Sequence, residues 1–131
     1  MEFLDTSKHI IILVVDDNHD QATITKMFLE RYGFKVITRS NGKECIKAAQ
    51  ELKPDVIITD IDMPVMDGVT ACRFIRQQQW GKHIPIIALS ATLKKITDNL
   101  VEMSCFDAQF FKPAQYDYLA NTILKMVNEK K

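Results

Sequence analysis

Two of the chain's apolar runs end in aspartates, at Val14-Val15-Asp16-Asp17-Asn18 and at Val56-Ile57-Ile58-Thr59-Asp60-Ile61-Asp62. Two more end in other reactive types, at Leu89-Ser90-Ala91 and Phe111-Lys112-Pro113. Clustered carboxylates repel one another, so three in one crevice stay ionised together only if a cation joins or a proton remains. A hard divalent ion with oxygen ligands answers that need. Mg²⁺ suits it, because it accepts a few carboxylates and keeps positions for waters or a phosphoryl oxygen. One carboxylate can then attack an electrophilic phosphorus and form an acyl phosphate, and Asp60, closing the most central run, is the best placed. Ser90 can donate a hydroxyl hydrogen bond to one phosphoryl oxygen while the Lys112 ammonium neutralises another.

These groups meet only if the elements carrying them line up. Ile10 to Val15 and Val56 to Ile58 are continuously apolar rather than alternating, which predicts strands buried on both faces, the mark of a parallel sheet. Phe34 to Thr38, Ile84 to Leu89 and Ala108 to Phe111 are the other strand candidates. Helical spacing follows each strand. Asn18 to Asp20 open a first helix with Ile24, Met27, Phe28 and Arg31 in register, and Gly33 is placed for a left-handed terminus. A second helix runs from Asn41-Gly42 with Cys45, Ile46, Ala49 and Leu52 on one face until Lys53-Pro54. A third follows Gly68 with Ala71, Phe74 and Ile75 to about Gln79; a fourth carries Leu93, Ile96, Leu100 and Met103; the last carries Leu119, Ile123, Met126 and Val127. Pro64 and Asp67-Gly68 shape a loop and a helix start beside Asp60.

Strands alternating with helices give right-handed crossovers and a sheet covered on both faces. The expected class is α/β, a flavodoxin-like doubly wound (βα)5 with strand order 2-1-3-4-5 and a switch point between the first and third strands. Those are the two strands that end in aspartates.

At 131 residues, with 17 basic and 17 acidic side chains, the chain is expected to form one domain over 9–128, with short segments 1–8 and 129–131 outside it. Zero formal net charge argues against a nucleic-acid partner. No apolar signal core precedes Lys8, and His9 to Val15 is too short to span a bilayer, so no membrane association and a cytoplasmic location are expected. Cys45, Cys72 and Cys105 are odd in number and far apart in sequence, which reads as reduced thiols packed as small apolar groups. His9, His19 and His83 lack ligand spacing.

Taken in order, Val14-Val15-Asp16-Asp17-Asn18, Asp60-Ile61-Asp62-Met63-Pro64-Val65-Met66-Asp67-Gly68, Pro85-Ile86-Ile87-Ala88-Leu89-Ser90-Ala91 and Phe111-Lys112-Pro113 resemble the receiver domain of two-component response regulators, the CheY-like type. The resemblance runs from about His9 to Val127. It implies that Asp60 is the phosphoacceptor, that Asp16 and Asp17 are the acidic pair for Mg²⁺, and that Asp62 lends its backbone carbonyl. It implies likewise that Ser90 follows the phosphoryl group and that Lys112 contacts it. The implied donor is a phosphohistidine on a histidine kinase or a histidine phosphotransfer protein. The implied output is a shift of the face built from the fourth helix, fifth strand and fifth helix toward a form that binds a downstream protein, in a monomer or weak dimer.

One position departs from the pattern. Receiver domains usually carry Tyr or Phe three residues before the lysine, where this chain has Gln109, with Phe110 beside it. Two other functions compete with the signalling switch, which itself is not a turnover enzyme. Asp60-x-Asp62 prompts a Mg²⁺-dependent phosphohydrolase of the haloacid-dehalogenase type, although that class places the pair after its first strand and adds a cap. Gln109 prompts a pseudo-receiver that binds partners without phosphorylation.

Overall fold

The computed structural model describes residues 10–91, 103–112 and 115–129. Its strands are β1 (Ile11–Val15), β2 (Lys35–Arg39), β3 (Val56–Asp60), β4 (Ile86–Ser90) and β5 (Ala108–Phe111), all parallel, in the order β2-β1-β3-β4-β5. The described helices are α1 (His19–Glu30), α2 (Gly42–Leu52), α3 (Gly68–Arg76) and α4 (Tyr116–Glu129). This is the doubly wound α/β sheet expected from the pattern of runs. The fourth helix expected through Leu93, Ile96 and Leu100 falls outside the described residues, as does Pro113.

Period-two geometry sends alternate side chains of each strand to opposite faces, and here both faces are apolar. Leu13, Val15, Ile57, Ile86 and Ala88 pack with Cys45 and Ala48 of α2 and with Cys72 and Ile75 of α3. Ile12, Val14, Ile58, Ile87 and Leu89 pack on the other side with Leu29 of α1 and with Leu119 and Ile123 of α4. Every residue of β3 and β4 is buried, each large aliphatic chain contributing on the order of 1.5–3 kcal/mol. Stiff central strands therefore fix where their last residues stand.

Helix starts follow the sequence signals. Asn18, Asn41 and Asp67 each accept a hydrogen bond from a backbone N–H of the first turn, at Gln21, Glu44 and Thr70. The α2 terminus takes its left-handed residue at Lys53 (φ 47°), just before Pro54. At α1 the left-handed residue is Gly33 (φ 91°), two places past the Arg31 cap.

The apolar faces of two helices differ from expectation. On α1 the buried side chains are Ala22, Thr25 and Leu29, whereas Ile24, Met27 and Phe28 are exposed. Spacing alone selected the larger side chains. Thr25 is accepted inside because its hydroxyl shares a hydrogen bond with that of Tyr116 at 3.2 Å, and Phe28 stacks on the Tyr116 ring at 4.6 Å. On α3, Ala71, Cys72 and Ile75 are buried and Phe74 is exposed; the helix stops at Arg76 rather than near Gln79.

The join between β3 and α3 is tight. Gly68 donates its N–H to the Ile61 carbonyl at 2.9 Å, and a Cβ at residue 68 would stand 2.1 Å from the Asp60 carbonyl oxygen. Backbone cannot swing aside as a side chain does. Gly68→Ala should lower the unfolding free energy by about 3 kcal/mol, read from urea denaturation; a loss under about 0.5 kcal/mol would show that the approach is loose.

Candidate functional site

At the carboxyl ends of β1, β3 and β5 the sheet gathers residues far apart in sequence. Asp16 follows β1 and is 4% exposed. Its N–H donates to the Arg39 carbonyl at 3.0 Å, fixing its backbone against β2, and its Oδ1 accepts from the Asn18 N–H at 2.9 Å, which holds the carboxylate. Asp60, the last residue of β3, is 9% exposed and its Oδ1 accepts from the Ile61 N–H at 2.9 Å. Lys112 lies just beyond β5, on the far side of β4, and its N–H donates to the Ser90 carbonyl at 2.8 Å. From there the lysine stem crosses the end of β4. Its Nζ donates to Asp60 Oδ2 at 2.9 Å and to Asp16 Oδ2 at 3.2 Å.

Asp17 completes the cluster. It is exposed, and carboxylate oxygens of Asp16, Asp17 and Asp60 lie within 4.8 Å of one another. Ser90 is buried and stands opposite Phe111, one position beyond Leu89, which pairs with Asp60 in the neighbouring strand. Asp62 is exposed in the loop between β3 and α3. Gln109 is exposed on β5; strand alternation turns the adjacent Phe110 to the other face, where its ring meets Tyr118 edge-on at 5.2 Å. Phe110 therefore does not stand in for a ring at 109.

The electrostatics are unbalanced. Burial raises the Asp60 pKa above the usual carboxylate range, the nearby Asp16 charge adds to the rise, and the Lys112 hydrogen bond and charge only partly oppose them. Burial also disfavours the Lys112 ammonium, but the bonds and charges of Asp60 and Asp16 outweigh it and raise its pKa. Three carboxylates thus face one ammonium. Their donor set is entirely hard oxygen, which suits a small divalent cation and suits a soft one poorly.

Beside the carboxylates is a cavity of about 200 Å³ lined by Asp16, Asp17, His19, Ala22, Thr38, Arg39, Ser40 and Glu44. Sequence reasoning did not find the contribution of Thr38, Ser40 and His19 to this wall; the β1–β2 pairing, Val15 opposite Arg39, is the signal that places Thr38 and Ser40 there, and the helix start after Asn18 places His19. A larger cavity, about 430 Å³, opens at the opposite end of the strands among Arg76, Pro85 and Asp107, remote from the cluster.

A family model described as the response regulator receiver domain matches residues 12–124. The CAI-1 autoinducer sensor kinase/phosphatase CqsS of Vibrio cholerae is 36% identical over 117 residues, which cover 88% of this chain and 17% of that protein. The alkaline phosphatase synthesis transcriptional regulatory protein PhoP of Bacillus subtilis is 44% identical over 80 residues, 61% of this chain and 32% of that protein. The chain thus spans a third or less of either curated relative. Among solved structures, the receiver domain of the sensor histidine kinase PA1611 from Pseudomonas aeruginosa superposes with a TM-score of 0.85 at 29% identity, covering 92% of this chain and 98% of that one; it has a magnesium ion coordinated in its active site cleft.

The raised Asp60 pKa has a measurable sign. The folded protein holds a proton on this carboxyl more readily than the unfolded chain, whose value is near 3.8, so the group subtracts stability as pH rises from there through its folded value. In chelator-treated protein, Asp60→Asn should be more stable than the parent at pH 7, with the difference vanishing below about pH 3.8. A less stable Asp60→Asn at pH 7 in thermal melts would contradict the charge imbalance.

Proposed function

The chain belongs to the response regulator receiver domain family, and from that membership we propose that Asp60 accepts a phosphoryl group from a phosphohistidine on a histidine kinase or a histidine phosphotransfer protein. The single observation supporting this most strongly is the Lys112 ammonium held between the Asp60 and Asp16 carboxylates. In the transfer, an Asp60 carboxylate oxygen attacks phosphorus, a P–O bond forms, and the P–N bond to the donor imidazole breaks. Asp60 is held for this by the Ile61 N–H, which fixes one oxygen while Lys112 binds the other. Lys112 offsets charge on the transferred group, and Ser90, buried one position past Asp60's strand partner, donates its hydroxyl to a phosphoryl oxygen.

Mg²⁺ fits this reading and would be held by Asp16, Asp17 and Asp60 with the Asp62 backbone carbonyl, where it would supply positive charge to offset the carboxylates and the phosphoryl group. The convergent oxygens fit it. The proposed receiver unit is residues 9–128, acting in the cytoplasm as a phosphoacceptor rather than a turnover enzyme. Among the described residues no helix is long and apolar enough to cross a membrane.

Phosphorylation adds about 1.5 to 2 negative charges at this edge of the sheet. We place the response on the face that includes β5 and the closing helix, where Phe111 and Tyr118 are 48% and 63% exposed and available to a downstream protein. The exposed Ile24, Met27 and Phe28 of α1, whose first turn lines the crevice through His19 and Ala22, offer a separate apolar surface for the donor protein. Gln109 removes the usual ring from the path between the two, and the backbone bond from Lys112 to Ser90 offers, among the described residues, a direct link between the ends of β4 and β5.

Acetyl phosphate with Mg²⁺ should label the protein once per chain at an acid-stable, hydroxylamine-sensitive position. Asp60→Asn and chelation of the metal should abolish the label, and Lys112→Ala should slow it roughly 100-fold. Incorporation that survives Asp60→Asn would overturn the assignment; absence of any label in the parent would favour the pseudo-receiver, and sustained turnover of a small phosphate ester the hydrolase.

A further inference from the structure

Far from the carboxylates, at the opposite end of the fold, the chain brings together two cysteines separated by 33 positions. Cys72 is fully buried on α3 and its Sγ donates to the backbone carbonyl of Cys105 at 3.2 Å. Cys105 is half-buried in the turn that precedes β5, its thiol close enough to that of Cys72 for each to shift the other's titration. One helical turn on from Cys72, Arg76 donates through Nε to the same Cys105 carbonyl at 3.0 Å, and pairs with Asp107 at 2.7 Å. The turn is thereby fastened to α3 by three polar contacts around the cysteine pair. The family reading makes no use of this arrangement.

We propose that Cys105 and Cys72 form a peroxide-reactive dithiol, Cys105 being oxidised first and Cys72 then closing a disulfide that ties α3 to the turn before β5. Three features support those roles. Cys105 reaches solvent and Cys72 does not. The neighbouring Cys72 thiol lowers the Cys105 pKa, against the opposing effect of burial, and the Arg76 and Arg73 charges lower it further. The Cys105 side chain and burial raise that of Cys72. Reactive thiols sit in such electropositive, partly exposed settings.

The chemistry balances with a hydroperoxide as oxidant. The Cys105 thiolate attacks the peroxide; an S–O bond forms, the O–O bond breaks, and the other oxygen leaves as alcohol or water after taking a proton. The Cys105 sulfur, now a sulfenic acid, has lost two electrons. Cys72 sulfur then attacks it, forming the S–S bond, while the S–O bond breaks and the oxygen departs as water with the Cys72 proton. Per disulfide, one hydroperoxide is reduced and two thiols are oxidised. The bond would clamp the connection that carries the chain from Ser90 to Lys112.

The fully reduced protein treated with limited hydrogen peroxide should lose the mass of two hydrogens and yield, on non-reducing digestion, a peptide pair joining Cys72 to Cys105, restored by dithiothreitol. Cys72→Ser should instead accumulate a Cys105 sulfenic acid trapped by dimedone. In the unoxidised parent, Cys105 should alkylate at least about tenfold faster than Cys45, whose thiol is buried and pushed up to about 12. A cross-link through Cys45, no cross-link at all, or equal alkylation of Cys45 and Cys105 would each overturn the proposal. The parent's peptide map decides even if Cys72→Ser fails to fold.

Discussion

The structure depends on an excess of negative charge placed where the sheet is most rigid. β1 and β3 are adjacent, buried on both faces, and each delivers a carboxylate to the same edge. A loop could relax and let the two drift apart; a central parallel strand cannot without disturbing the core. Lys112 relieves part of the repulsion by crossing the end of β4, and what is left over is negative charge that a bound cation would offset. Stability at this edge is given up locally and recovered from the apolar layers beneath it.

The loop beside Asp60 shares that economy. Gly42, opening α2, donates its N–H to the Met66 carbonyl at 2.8 Å, and a Cβ at 42 would stand 2.6 Å from that oxygen. Val65, one residue earlier, holds φ at 71°, a conformation that a β-branched residue adopts only when its surroundings impose it. Thus the segment after Asp60 is anchored at 66 through α2 and at 68 through Ile61 at the end of β3, with a strained, exposed residue just ahead of the anchors.

Much of this was legible in the sequence. Continuous β-branched runs located β1, β3 and β4, because burial on both faces leaves no polar positions to blur the pattern; Asn18, Asn41 and Asp67 announced helix starts through side chains that have local backbone to bond. The site followed from strand order. Burial of α1 did not, because helical spacing cannot tell that a threonine will find a tyrosine hydroxyl from a distant helix and go inside in place of Ile24 or Met27. Phe74 misled for the same reason. Cys72 and Cys105 looked unrelated because their meeting depends on how the turn before β5 lies along α3, a tertiary fact with no periodic signature.

The order in which the site's parts occur along the chain has its own consequence. Asp16 and Asp17 leave the ribosome first, Asp60 next and Lys112 last of the four, and the lysine is placed only when β5 pairs with β4. A nascent chain with four strands formed holds three carboxylates and no counter-ammonium, so its edge stays at its most repulsive until β5 docks. Pairing of β5 with β4 therefore brings in the residue that makes the edge tolerable, and the charge it relieves favours docking of that strand.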